Sequence, residues 1–216
     1  SLFAILFYFR DDLKKIISGF FKCLTSGSFN VSKDGRIGLY LIVASIPAVI
    51  LGLVFESYVS GILRKPVYVS GFLSLFAIFL FFAERNTKRE KSISDINLVD
   101  SLFFGVAQSL AIFPGVSRSG VTITGGLLRN YKRDEAAKFS FLLGIPMILG
   151  ASILESRHMD YAMIATPSFI IGVLVSFFTA FLVIRFLLNY LKTRTFIPFV
   201  IYRILLSIII LIFLYI

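Results

Sequence analysis

The sequence predicts an all-α integral membrane protein built as a polytopic helical bundle. Hydrophobic residues make up 57% of the 216 positions and charged residues only 16%, whereas charged residues form roughly a quarter of an ordinary soluble domain. The mean hydropathy is +0.90. The apolar stretches lack the alternation of an outer-membrane β-barrel strand, so helices remain as the structure that satisfies backbone hydrogen bonds within hydrocarbon.

Six apolar stretches follow one another along the chain, and a helical span needs roughly 17–25 residues. They cover 37–55, 67–83, 101–128, 139–154, 167–188 and 196–216. The charges between them predict their orientation, because Lys and Arg accumulate in cytoplasmic connections. The basic connections, predicted to be cytoplasmic, are 10–36, 84–100, 129–138 and the cluster Arg185, Lys192 and Arg194, whereas 56–66 and 155–166 carry few cations and are predicted to be exterior.

The stretch 101–128 differs from the others because basic connections flank it on both sides. It must therefore return to the side from which it enters the membrane. Each arm, 101–113 and 114–128, is shorter than the ~20 residues of a full span, and Pro114-Gly115 marks the turn. We predict a re-entrant helical hairpin over about 101–128 with its tip near mid-membrane, where irregular backbone is tolerated only if protein buries it or it lines a cavity.

The remaining features of the chain exclude other classes of site. Ser1 to Phe9 are apolar but too few to span a membrane, so we interpret them as the inner end of a helix and the chain as N-terminally truncated. The net charge of +10 lies between the spans and not in one patch, which argues against a nucleic-acid partner. Cys23 is the single cysteine, permits no intramolecular disulfide and is interpreted as a small side chain in a loop. His158 has no neighbouring ligand set and is assigned no chemistry.

The segment Pro114-Gly-Val-Ser-Arg-Ser-Gly-Val-Thr122 is the strongest candidate for a functional site. Arg118 is charged and lies deep in an apolar stretch, where charged residues are costly enough that function is the first hypothesis. It follows the break at Pro114-Gly115 and opens a helix, whose N-terminus offers unpaired N–H groups to an anion. The arginine fork also matches phosphate oxygens. Together these features predict an anion-binding cradle.

Six neighbours complete the predicted site: Ser117, Ser119 and Thr122 join Arg118 as catalytic residues, and Gln108, Gly115 and Gly120 bind substrate. Arg118 and Thr122 are four residues apart and share a helix face, and Ser119 and Thr122 are three apart, so one ligand could touch all three. In the alternative interpretation, Arg118 bonds to backbone carbonyls and the hydroxyls only cap the helix. Gln108 could equally form a hydrogen bond between helices.

Arg203 is the other charged residue deep within an apolar stretch. It lies about two turns into its helix, which favours snorkelling or pairing with the backbone, and a role in orienting a cavity is the second interpretation. Carboxylates give no comparable candidate, because the glutamates fall at span edges or in connections: Glu56, Glu84, Glu90, Glu135 and Glu155. Phosphoanhydride hydrolysis ordinarily needs a metal held by carboxylates, a general base or a nucleophile. The sequence thus predicts phosphate binding without the groups that would cleave the bond.

Four segments carry a family resemblance: SLAIFPGVSRSGVTITGG at 109–126, SIPAVILG at 45–52, FSFLLGIPMILGA at 139–151 and TFIPFVIYR at 195–203. They resemble the bacterial undecaprenyl-diphosphate phosphatase family, also called bacitracin-resistance proteins. The first is similar to the family signature Pro-Gly-x-Ser-Arg-Ser-x-x-Thr. Since the segments occur in order, the resemblance extends over essentially the whole chain.

The resemblance implies a multi-pass enzyme of the bacterial plasma membrane that removes the terminal phosphate of undecaprenyl diphosphate and regenerates the monophosphate carrier for cell-wall synthesis. It implies inverted-topology repeats, Mg²⁺ or Ca²⁺ as cofactor, a polyprenyl diphosphate substrate and contact with membrane lipid, and it allows a homodimer. Arg118 would bind the diphosphate, with Ser117, Ser119 and Thr122 as neighbouring hydroxyls and Gly115 shaping the loop.

One family signature does not occur in this chain, namely a Glu-x-x-x-Glu stretch and a Pro-Val-Ser-Ser-Thr-Gly-His loop. We therefore expect the chain as given to be inactive or weak and to lack metal ligands. A polyprenyl-phosphate transporter is the alternative function, because broken helices and an anion cradle serve translocation equally well, and a degraded gene product without activity is the third. The echo of Ile46-Pro-Ala-Val-Ile-Leu-Gly52 by Ile145-Pro-Met-Ile-Leu-Gly150 fits a duplicated architecture.

Overall fold

The computed structural model describes residues 1–29, 31–59, 61–156 and 166–215, and in this part of the chain every regular element is a helix. The helices are α1 (Leu2–Tyr8), α2 (Arg10–Ser26), α3 (Lys33–Val59), α4 (Pro66–Asn86), α5 (Leu98–Ser109), α6 (Arg118–Leu128), α7 (Arg133–Ser156), α8 (Pro167–Leu191) and α9 (Ile197–Tyr215). His158, to which the sequence assigns no chemistry, lies outside the described residues.

Five helices are long and apolar enough to cross a membrane, and they coincide with the predicted stretches other than 101–128. They are Lys33–Phe55 of α3, α4, α7, α8 and Ile197–Leu214 of α9. Large apolar side chains cover their outer faces; on α8, for example, Phe178, Leu182 and Phe186 are 59%, 61% and 66% exposed. Lipid is the solvent that stabilises such a surface, so the prediction of a polytopic helical bundle is confirmed.

The stretch 101–128 forms two short antiparallel helices, α5 and α6, joined through a short 3₁₀ turn and the bend at Pro114-Gly115. Near the bend, Ala107 of α5 packs in one apolar cluster with Val121 of α6. At the open end, Asn97 caps α5, because its side chain accepts a hydrogen bond from the Asp100 backbone N–H at 2.8 Å. The helices therefore form a hairpin, and its depth in a bilayer stays a prediction.

The open end of the hairpin is closed by the fully buried carboxylate of Asp100. It accepts hydrogen bonds from Arg129 Nε at 2.6 Å, Tyr131 Oη at 2.8 Å and Lys91 Nζ at 3.1 Å. Burial alone raises the pKa of Asp100, but these three donors outweigh it and hold the pKa below its ordinary value. The cluster joins the connections before and after the hairpin, so both lie on one side of the bundle.

The connection 10–36, predicted as a loop, contains the 17-residue helix α2. Ile16 and Cys23 are buried against α3, whereas Ile17 and Phe21 are 53% and 60% exposed. The prediction that Cys23 lies in a loop is therefore wrong, because a helical period of apolar residues runs through this basic segment. Asp12 ties α2 to α7 by accepting a hydrogen bond from Lys138 Nζ at 2.6 Å.

The two Ile-Pro segments of the sequence echo lie inside α3 and α7, at Pro47 and Pro146. Residues 38–42 of α3 share a cavity wall with residues 142–146 of α7, and residues 48–59 of α3 share another with residues 146–154 of α7. The helices therefore run parallel, and the echo relates two segments of the same orientation. The inverted-repeat arrangement stays a prediction.

Candidate functional site

The loop before α6 has an unusual backbone that presents the helix N-terminus. Ser117 caps α6 by accepting a hydrogen bond from the Gly120 N–H at 3.2 Å. Its φ of +68° is a left-handed backbone conformation, which costs a residue other than glycine about 1–3 kcal/mol. Gly115 has a φ of +91°, and a Cβ there would collide with the carbonyl oxygen of Val69 in α4. Only glycine fits this turn against α4.

Arg203 of α9 holds the same loop from the other side. Its Nη2 donates hydrogen bonds to the carbonyl oxygens of Gly115 at 3.0 Å and Val116 at 2.8 Å, and the side chain is only 7% exposed. These carbonyls lie in a turn, where no helical N–H reaches them, and an unpaired carbonyl in an apolar interior is costly. The predicted pairing of Arg203 with the backbone is confirmed, and its partners belong to the candidate loop.

The helices that hold the loop are joined by a polar seam. Ser207 of α9 donates a hydrogen bond to the Ser70 carbonyl of α4 at 2.8 Å and accepts one from Ser74 at 2.7 Å. Ser207 lies one helical turn after Arg203, so the seam and the guanidinium occupy one face of α9. This arrangement sets the position of α9 against α4 and thereby the position of Arg203 under the loop.

Arg118 points away from this seam and towards α7. Its guanidinium lies against Gly144, midway along the 24-residue helix α7, where a Cβ would collide with Nη1 and lie 2.6 Å from Nη2. Arg118 Nη1 is buried and has no hydrogen-bond partner among the described residues. A partly buried cation with a buried spare donor is the feature that an anionic ligand would satisfy.

The other predicted residues have different neighbours. Thr122 is fully buried, its hydroxyl pairs with Ser140 of α7 at 2.5 Å, and it also donates to the Arg118 carbonyl at 2.9 Å. Gln108 is 2% exposed, and neither amide atom has a partner in the described part of the chain. The residues that face a common cavity with Arg203 are Ser117, Ser119 and Gly120. The loop thus turns Arg118 to α7 and its serines to α9.

The described side chains do not fit a divalent metal. Among the residues described, no group of three or more His, Cys, Asp or Glu side chains could hold a metal ion. The charged side chains at the loop are Arg118 and Arg203, which would repel a cation. Glu84 is buried, but it pairs with Arg89 at 2.9 Å and with Arg133. The Mg²⁺ or Ca²⁺ implied by the resemblance stays a prediction without a ligand set here.

Two functional contacts have no local signal in the sequence. Arg203 and Gly115 are 88 positions apart, and nothing in the sequence around Gly144 shows that a guanidinium lies on it. Arg203 could be recognised as important from the cost of a charge within an apolar stretch. Its partners could not, because they depend on the packing of α4 and α9.

Comparison with known proteins shows the family of the chain. Residues 1–209 match the family model described as bacitracin resistance protein BacA. The undecaprenyl-diphosphatase of Moorella thermoacetica is 40% identical over 208 residues, which cover 96% of this chain and 77% of the relative. The undecaprenyl-diphosphatase of Thermobifida fusca is 36% identical, and the match covers 96% of this chain and 72% of the relative. That of Chlorobium phaeovibrioides is 38% identical, and the match covers 99% of this chain and 80% of the relative. By both measures, the chain belongs to the bacitracin resistance protein BacA family.

Proposed function

We propose that this chain is an undecaprenyl-diphosphatase, a hydrolase that acts on the phosphoanhydride of a polyprenyl diphosphate lipid. The relatives named undecaprenyl-diphosphatase supply the reaction class. The structural observation that carries the proposal is the spare, buried Nη1 of Arg118 at the start of α6. It provides a cation and a helix N-terminus within an apolar bundle, which together favour a phosphate group over a neutral ligand.

The reaction consumes water and breaks the bond between the bridging oxygen and the terminal phosphorus. The terminal phosphorus leaves as inorganic phosphate, and the bridging oxygen stays on the lipid monophosphate. Arg118 would bind the diphosphate through its fork, and Ser117, Ser119 and Thr122 are the proposed neighbouring hydroxyls. The buried amide of Gln108 would orient the substrate, and Gly115 and Gly120 would let it approach the backbone.

The proposal places the protein in the bacterial plasma membrane as a multi-pass protein surrounded by lipid. The five apolar helices support the multi-pass part. The plasma membrane follows from the substrate class, because a polyprenyl diphosphate resides in the bilayer. The homodimer and the divalent cofactor stay predictions.

The test is phosphate release from undecaprenyl diphosphate by the chain in proteoliposomes, together with equilibrium binding of the lipid. Arg118→Ala should lower both, with release falling about 100-fold, the usual cost of removing one donor that stabilises developing charge. Arg194→Ala removes an exposed cation in the connection between α8 and α9 and should leave both unchanged.

Three outcomes separate the candidate functions. Release that depends on Arg118 supports the hydrolase and contradicts the expectation that the chain as given is inactive. Arg118-dependent movement of polyprenyl phosphate across the bilayer, without release, favours the transporter. Binding and release that Arg118→Ala leaves intact would overturn the assigned role of Arg118.

A further inference from the structure

The surface of α2 divides into three stripes along the helix. One stripe is buried against α3: Ile16, Gly19 and Cys23. The second is apolar but at least half exposed: Ile17, Phe21 and Leu24. The third is basic and exposed: Lys14, Lys15 and Lys22. At the ~100° per residue of an α-helix, the apolar stripe covers only about 60° of the circumference, and the lysines follow along one of its borders. Apolar and basic stripes side by side are typical of a helix that lies in a membrane interface.

The helix α2 lies at the end of the bundle where α3 and α7 begin. Gly19 approaches α3 so closely that a Cβ on it would come within 2.7 Å of the backbone nitrogen of Gly35, in the first turn of α3. Asp12 binds Lys138 in the second turn of α7. The Asp100 cluster immediately precedes α7, so it lies at the same end. The helix α2 therefore lies where the spanning helices begin, on the side of the basic connections.

The exposed apolar stripe of α2 continues into a groove between α2, α3 and α7. The groove has a volume of about 270 Å³, and its described lining residues are all apolar or glycine. Ile17 and Phe21 belong to its α2 wall, and Ile42, which is exposed on the spanning helix α3, belongs to its α3 wall. Lipid covers the outer face of a spanning helix. Acyl chains beside α3 therefore reach α2 along a continuous apolar surface.

The lysines of α2 are free to face a further partner. The acidic residues of the helix already have partners, because Asp11 lies 3.8 Å from Arg10. Asp12 accepts the hydrogen bond from Lys138 at 2.6 Å. The exposed cations that form no ion pair within the described chain are Lys14, Lys15 and Lys22. Their long stems let the charges extend towards headgroups. Uncompensated lysines beside an apolar stripe complement an anionic lipid surface.

We infer that α2 lies in the interface of the bilayer on the side of the basic connections and binds anionic lipids there. Its apolar stripe enters the acyl region, and its lysines contact the lipid phosphates. An acidic protein would also complement the lysines, but the apolar stripe continues onto α3, which lipid covers, so lipid is the partner that fits the whole surface. The connection 10–36 is then a membrane-binding element. The inference involves neither the loop before α6 nor hydrolysis.

The depth of α2 can be measured by tryptophan fluorescence, because the chain contains no tryptophan. Phe21→Trp and Lys22→Trp place the reporter at adjacent positions, one on the apolar and one on the basic stripe. In phosphatidylcholine vesicles with iodide on both sides, lipids brominated near the headgroup should quench Phe21→Trp more than lipids brominated near the chain end, and iodide should quench mainly Lys22→Trp. Phe178→Trp, midway along the lipid-facing surface of α8, should show the opposite depth preference.

Two results of the depth measurement would overturn the interfacial position. Equal quenching of Phe21→Trp and Lys22→Trp by iodide would place both stripes in water, as expected for a surface that binds a protein. Stronger quenching of Phe21→Trp by bromine near the chain end would place α2 in the bilayer core.

The charge requirement is tested with brominated phosphatidylglycerol and brominated phosphatidylcholine, each diluted into unlabelled phosphatidylcholine. The anionic lipid should quench Phe21→Trp at about fivefold lower mole fraction, the effect of one lysine near an anionic surface. In that background, the preference should disappear on combining Lys14→Gln, Lys15→Gln and Lys22→Gln. The charge-matched control removes three exposed cations from other basic connections and should retain the preference: Lys88→Gln, Lys192→Gln and Arg194→Gln. Equal quenching by the two lipids before the lysines are changed, or a preference that survives their loss, would overturn the assignment to anionic lipid.

Discussion

At the scale of single residues, Arg118 and Arg203 show two uses of a cation in an apolar environment. Arg203 donates to two turn carbonyls and so removes the cost of leaving them unpaired. Arg118 keeps a buried donor without a partner in the described chain. Both residues stand out in the sequence because charge is rare within spans. Their roles differ because Arg203 faces the loop before α6, whereas Arg118 faces α7.

Gly144 gives a test of Arg118 that does not change Arg118 itself. Gly144→Ala places a methyl group where the guanidinium lies, so we expect Arg118 to move and phosphate release to fall about 100-fold, as a shift of roughly 1 Å can cause. Stability should stay the same or rise, because alanine favours a helix over glycine by up to about 1 kcal/mol. The measurements are phosphate release and the thermal unfolding midpoint.

Gly150→Ala is the matched control on the same helix, since a Cβ there has nothing within 4 Å. It should share the gain in stability and retain activity. A Gly144→Ala variant that keeps full activity would show that the position of Arg118 against α7 is unimportant. Parallel losses of stability and activity would instead indicate general damage to α7.

At the scale of elements, the hairpin could be predicted from the sequence and α2 was missed. Basic residues on both sides of 101–128 and Pro114-Gly115 at its centre were sufficient to predict two short arms. In α2, the basic residues that indicate a cytoplasmic connection obscured the apolar period of Leu13, Ile16, Phe20 and Cys23. Arg118 and Ser119 face different helices because of tertiary packing. Residue spacing along the chain could not predict this.

The Asp100 cluster should hold the open end of the hairpin. Asp100→Asn keeps the shape of the side chain but removes the charge that Arg129 and Lys91 contact. We expect a loss of about 1–2 kcal/mol, the lower part of the range for hydrogen bonds to charged groups, because the basic partners are partly exposed. Unfolding of the purified protein measures it, and Glu90→Gln, at an exposed carboxylate in the preceding connection, should change little.

The same cluster predicts a pH dependence. The pKa of Asp100 is lower in the folded protein than its ordinary value of 3.8, so its contribution is fully present above that value. The contribution is lost as the pH falls from 3.8 through the lowered folded pKa, because over that interval the unfolded chain binds a proton that the folded protein does not. The stability difference between the wild type and Asp100→Asn should therefore shrink on acidification. A difference that stays constant down to about pH 3 would contradict this assignment.

At the scale of the whole molecule, composition was enough to predict a multi-pass helical bundle, because the bilayer limits the choice of structure to helices of a given length. The basic connections predict which ends face the cytoplasm. The packing of α4 against α9 could not be predicted, since their contacts join residues more than a hundred positions apart, such as Ser70 and Ser207. The part of the site that depends on Arg203 was missed for this reason.

Thiol labelling can test the orientation. Cys23 is the only cysteine and is fully buried, so the wild-type chain should label poorly. Lys65→Cys, at the start of α4, should react with a membrane-impermeant maleimide in intact cells, whereas Lys88→Cys, after the end of α4, should react only after permeabilisation. The reverse pattern would invert the orientation, and labelling of both positions in intact cells would contradict α4 as a span.

The contact between Arg203 and the loop has a consequence for the timing of biosynthesis. It joins positions 87 and 88 residues apart, an interval that a ribosome covers in roughly 4–18 s at about 5–20 residues per second. During that time the carbonyls of Gly115 and Val116 enter the membrane without their guanidinium partner. Water, lipid headgroups or the insertion machinery must satisfy them until α9 arrives, so the loop before α6 is among the last parts of the protein to mature.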